Sequence, residues 1–99
     1  MKIIDVELLT EPTNNAVILL PNRQYPGVLV QGDSLYALFV DANELADEAR
    51  LCGHGELELN ARALRDNLGD LLERYEQALK EHGITLPYRR DASTEKPND

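Results

Sequence analysis

The chain has 99 residues, 42% of them apolar, and sets 18 acidic side chains against 10 basic ones for a net charge of −8. That length supports one domain of modest core, and the charge has the wrong sign for neutralising phosphates, so nucleic acid is disfavoured as a partner. No apolar run approaches the roughly eighteen residues a membrane span needs, and the opening MKIIDVELLT carries Asp5 and Glu7 where a signal peptide would be unbroken, so a cytoplasmic protein with no membrane partner is expected.

Ile4, Val6 and Leu8 alternate with Asp5 and Glu7, the period-two pattern of a half-buried strand, which predicts a first strand over residues 2–9. Glu11 to Asn15 reads as a turn, with the asparagines suited to left-handed backbone. Ala16 to Leu20 is apolar on both parities, as befits a central strand covered on both faces. Pro26-Gly27 has the composition of the middle of a type II turn, and Val28 to Val30 predicts a third strand. Connections this short favour an antiparallel meander.

Asp33 and Ser34 offer side-chain oxygens to the start of a helix expected over Ser34–Arg50. Leu35, Leu38, Phe39, Ala42, Leu45, Ala46 and Ala49 form its apolar stripe, and Gly53 and Gly55 end it. Leu57 and Leu59 alternate with Glu56 and Glu58 and read as extended or as a ragged helix entry. Asn60 then caps a second helix with the stripe Ala61, Leu64, Leu68, Leu71, Leu72, Tyr75 and Leu79, stopped at Gly83. Gly69 inside it is either a close-packing point or a defect costing about 1 kcal/mol. From Arg89 onward there is almost nothing to bury, so a single domain over 1–88 is followed by a tail, 89–99, expected to be disordered and dispensable after Arg90. The expected fold is α+β: a three-stranded antiparallel β-meander followed by an α-helical hairpin packed on one sheet face. A hairpin covers one face only, so the aliphatic side chains on the other predict a homodimer through the sheet.

Catalytic and metal chemistry finds little support. Cys52 and His54 stand two apart with no second histidine nearby, and His82 reads as a core-edge residue, so neither catalytic residues nor metal ligands nor a cofactor are assigned. Between Asp33 and Glu58 seven carboxylates accompany one base, Arg50, which suits either solubility or steering toward a basic partner. The expected partner-binding residues are Arg23, Tyr25, Tyr36, Val40, Asp41, Glu44, Asp47 and Glu48. Arg23 is alternatively paired with Asp33 or a carboxylate of the first strand. A rival site is a polar or anion pocket at the strand-to-helix junction, built from Gln31, Gly32, Asp33 and Ser34 with Arg23.

The run Asn15-Ala16-Val17, then Pro21-x-Arg23-x-x-Pro26-Gly27-x-x-x-Gln31-Gly32-Asp33-Ser34-Leu35, resembles the PxRxxPGxxxQGDSL core of a small bacterial family of unknown function, the likeness extending from Glu7 to Ala46. It implies a compact bacterial cytosolic domain. In size and acidity the chain is also similar to immunity proteins that neutralise bacterial toxins. That likeness implies a non-enzymatic protein that occludes the active site of a basic toxin domain. The rival readings are a small ligand-binding or catalytic domain and a structural homodimer.

Overall fold

The computed structural model describes residues 1–90, in the order β1 (Glu7–Leu8), β2 (Val17–Leu19), β3 (Gly27–Val28), α1 (Gly32–Leu51) and α2 (Gly55–Glu81). The fold is α+β: a three-stranded antiparallel sheet precedes two packed helices. It divides into two compact units, Met1–Gln31 and the part from Gly32 onward.

In the first unit β2 is central, with β1 and β3 on either side. The strands are shorter than the apolar pattern predicts, and the register gives the reason. Glu7 lies opposite Leu19 and Leu8 opposite Ile18, so Asp5 and Ile4 would fall opposite Pro21, which has no N–H, and Asn22, whose φ is 63°. The first strand therefore does not span 2–9. β3 is bounded in the same way: Val28 faces Val17, the Leu29 N–H donates to the Ala16 carbonyl at 2.8 Å, and Val30 would meet Asn15, whose φ is 62°. Asn15 instead donates its side-chain N–H to the Leu29 carbonyl at 3.3 Å.

The turn chemistry also sits five residues earlier than expected, at Pro21-Asn22 instead of Pro26-Gly27. Gly27 belongs to β3 and is not left-handed, so Pro26-Gly27 is not a type II turn. Leu20–Arg23 carries those features: Pro21 holds the second position, Asn22 the left-handed third, and the Arg23 N–H donates to the Leu20 carbonyl at 3.3 Å.

In the second unit α1 starts at Gly32, so Asp33 and Ser34 lie inside its first turn rather than ahead of it. The Asp33 carboxylate still accepts the Ser34 N–H, at 2.8 Å. α1 ends in a Schellman motif: Gly53 (φ 70°) donates to the Arg50 carbonyl and His54 to that of Ala49. His54 then caps α2, its Nδ1 accepting the Leu57 N–H at 3.2 Å. Of the two readings of Glu56–Leu59 the helix entry is the one that forms, not the extended one, and Asn60 is interior to α2. Four alternating residues do not outweigh a cap that places Glu56 and Glu58 at the positive end of the helix dipole. A second Schellman motif closes α2 at Gly83 (φ 68°), with the Ile84 N–H on the Leu79 carbonyl at 2.9 Å. His82 is the exposed C-cap, not a core-edge residue.

Leu35, Phe39 and Leu72 form the buried centre of this unit, with Tyr36, Leu68 and Tyr88 packed on it. Ala42, Ala46 and Ala49 are buried along α1, where short side chains allow close helix approach. Leu38 and Leu45, expected in the same stripe, are about half exposed, at 48% and 54%. They lie well round the helix from the line through Leu35, Phe39 and Ala46.

Candidate interaction site

Residues 20–29 of the first unit present a cation, an aromatic ring and aliphatic side chains on one surface. The turn at Pro21-Asn22 reverses the chain and pushes Arg23 and Tyr25 outward. Tyr25 is 75% exposed. It rims a cleft of ≈ 300 Å³ with Ile18, Leu20, Arg23, Val28 and Leu29. Arg23 also lines a neighbouring cleft of ≈ 380 Å³ with Asp5, Glu7 and Leu19. Although two carboxylates share that cleft, Arg23 forms no ion pair with either, so its expected pairing with a first-strand carboxylate is not made. A guanidinium with no ion pair among the described residues and an exposed phenol beside aliphatic walls can bind a surface that offers carboxylate or carbonyl oxygens and an apolar plug.

On α1 the acidic residues Asp41, Glu44, Asp47 and Glu48 are all exposed, while Val40 is half-buried. Tyr36 is occupied by its own chain: its ring stacks on Tyr88, with centroids 4.2 Å apart and planes 3° from parallel. Of the residues proposed for a junction pocket, Gln31 is exposed at the end of the first unit. Gly32 is buried against Tyr75, whose ring occupies the place a Cβ would need. The glycine leaves room for that ring in the helix packing, and Asp33 serves the first turn of α1.

The segment after α2 packs back on this unit through Tyr88 and Arg90, contacts that the sequence does not announce. Tyr88 donates its phenol proton to Glu76 Oε2 at 2.8 Å. Arg90 pairs with the same carboxylate at 3.7 Å and lies 5.4 Å from the Phe39 ring centroid and 5.9 Å from that of Tyr36. The Tyr36 hydroxyl donates to the Arg89 carbonyl at 3.3 Å. The Arg89 backbone and the Arg90 side chain are therefore held, contrary to a tail that begins at 89. The remainder of that expectation, 91–99, lies outside the described residues. The available signal is one ring, Tyr88, beyond the helix stop, together with a cation, Arg90, that covers the aromatic residues of α1. Phe39, Gly69, Glu73, Glu76 and Arg90 leave a cleft of ≈ 240 Å³ between them.

Burial, the hydrogen bond to Glu76 and that carboxylate's negative charge all hold the Tyr88 proton on, raising its pKa well above the usual phenol range. A folded pKa above the unfolded value of about 10 contributes stability that is complete below that pH and is lost as pH climbs toward the folded value. Stability is expected to fall with alkaline pH from about 10 upward. Urea titrations across that range should show a smaller fall for Tyr88→Phe.

Cys52 is exposed and free. Among the described residues no group of three or more His, Cys, Asp or Glu side chains is placed to hold a metal, and no helix is long and apolar enough to cross a membrane. The sheet unit, the two helices and the docked Tyr88 together span the region that a family profile matches, residues 1–88. The chain belongs to DUF6959, a family of unknown function. The match takes in each strand and helix of the described residues of this DUF6959 member and stops at the stacked Tyr88, just short of the docked Arg90. No curated protein and no solved structure matches the chain.

Proposed function

We propose that this DUF6959 protein is a non-enzymatic protein-binding domain whose contact surface is the Arg23–Tyr25 loop and the aliphatic groove beside it. The observation that carries this reading is that Arg23, without an ion pair among the described residues, stands with a 75% exposed tyrosine at the rim of that groove. Tyrosine and arginine are the residue types that anchor interfaces most often, and both lose most when truncated in a desolvated centre. The net charge of −8, concentrated on the exposed acidic residues of α1, favours a basic partner and speeds encounter with it. The partner class we propose is a basic toxin domain that the protein neutralises as an immunity protein in the bacterial cytoplasm.

Co-expression tests the reading. A neighbouring reading frame that is toxic alone is expected to become harmless when this protein is supplied, and Arg23→Glu/Tyr25→Ala is expected to abolish the rescue while leaving the folded protein at normal abundance. Asp41→Lys/Glu44→Lys/Glu48→Lys should slow association at low salt, with the difference shrinking as salt rises, because a Debye length of about 10 Å at 0.1 M screens the field. Full rescue by the loop variant would reject this surface. Unchanged association of the reversed-charge variant at low salt would reject the steering role.

A further inference from the structure

The two faces of the helical unit differ. One is covered by its own chain, with Tyr88 stacked on Tyr36 and Arg90 over Phe39. Leu38 and Leu45 on α1 and Leu57, Leu64 and Leu71 on α2 are each about half exposed. At about 100° per residue, both sets lie to the same hand of the line that each helix turns toward the other. Because α1 and α2 run in opposite directions, the two sets share the face opposite Tyr88.

Their spacing narrows the choice of occupant. Leu38 and Leu45 are seven apart, as are Leu57, Leu64 and Leu71, the step of helices that pack along a seam. The surface that fits is a helix pair with the same step, and this chain supplies one. α1 runs about 30 Å and two helices side by side span about 20 Å, giving a footprint on the order of 600 Å², comparable with the roughly 800 Å² per partner of a stable interface.

Charge then selects the arrangement. The outer edge of α1 along this face carries Asp41 and Glu48, and the outer edge of α2 carries Asn60 and Asn67, all exposed. Stacking α1 on the partner's α1 would set carboxylates against carboxylates. A two-fold axis parallel to the helices instead sets α1 against the partner's α2, where the asparagine amides can donate to the carboxylates. We propose that the protein is a homodimer in which this leucine face packs on itself as a four-helix bundle, with α1 of one protomer against α2 of the other.

Sedimentation equilibrium of the full chain at micromolar concentration is expected to give twice 11.1 kDa; a monomer mass overturns the proposal. Leu45→Lys/Leu64→Lys is expected to halve the mass while far-ultraviolet circular dichroism stays helical, and a dimer surviving it would put the interface elsewhere. Cross-linking reads the arrangement without charging the face. In a Cys52→Ser background, Asp41→Cys/Asn67→Cys is expected to give a disulfide-linked dimer on mild oxidation and Asp41→Cys/Glu48→Cys none. The reverse result overturns the pairing of α1 with α2. Rescue from a toxin does not enter these measurements, so failure here and failure of the loop as a binding surface are separate outcomes.

Discussion

Tyr88→Ala is expected to lower stability by about 3 kcal/mol, the low end of the range for deleting an aromatic side chain from a core. Three contributions disappear together: the stack on Tyr36, the phenol's bond to Glu76, and packing against the cluster of Leu35, Phe39 and Leu72. The loss goes further than the ring, since Arg90 shares Glu76 and lies over Phe39, so a segment no longer held at residue 88 loses that contact as well. Urea denaturation with Tyr88→Phe alongside separates the parts. The phenylalanine keeps the stack and should lose only the bond to a charged acceptor, about 1.5 kcal/mol. A double-mutant cycle with Tyr36→Ala should return a coupling of roughly 1 kcal/mol for the stacked pair. A Tyr88→Ala loss below half a kcal/mol would mean that the segment does not hold the helices in solution.

Gly32→Ala is the second effect, expected at about 1 kcal/mol, the low end of the range for forcing extra volume into a packed site, because only the outer end of the half-buried Tyr75 side chain has to move. It is unusual because alanine is the better helix former and at an exposed position would stabilise by up to about 1 kcal/mol. The sign reverses here because the added methyl would occupy the space of the Tyr75 ring. What yields is the outer end of that side chain, so the cost is Tyr75's packing rather than backbone distortion. Accordingly Gly32→Ala/Tyr75→Ala should be less destabilised than the two single losses added together. Thermal melts of the four proteins decide it. Strict additivity would remove the contact as the reason for the glycine, and a neutral Gly32→Ala would reopen a role for it in approaching a ligand.

Some features were fixed by local chemistry and could be read without coordinates. The meander order follows from short connections between apolar runs. Gly53 and Gly83 stop their helices because a left-handed residue is needed there. The acidic residues of α1 stand exposed because nothing in the helix stripe requires them inside. The strand lengths were different in kind: β1 and β3 are cut short by what lies across the sheet, Pro21 and Asn22 for one and Asn15 for the other. Register is a relation between segments and leaves no mark on either alone. Helix faces behave the same way. Period 3.6 puts Leu35, Leu38, Phe39 and Leu45 on one broad stripe, yet only the neighbour's position decides that Leu35 and Phe39 are buried while Leu38 and Leu45 stay half open. The docked Tyr88 and Arg90 show the same limit, because polar composition suggested a loose tail and the contacts that hold it come from side chains on α1 and α2 more than ten positions away. Composition and periodicity report what each segment prefers by itself; which preference is satisfied depends on the surface that long-range packing brings beside it.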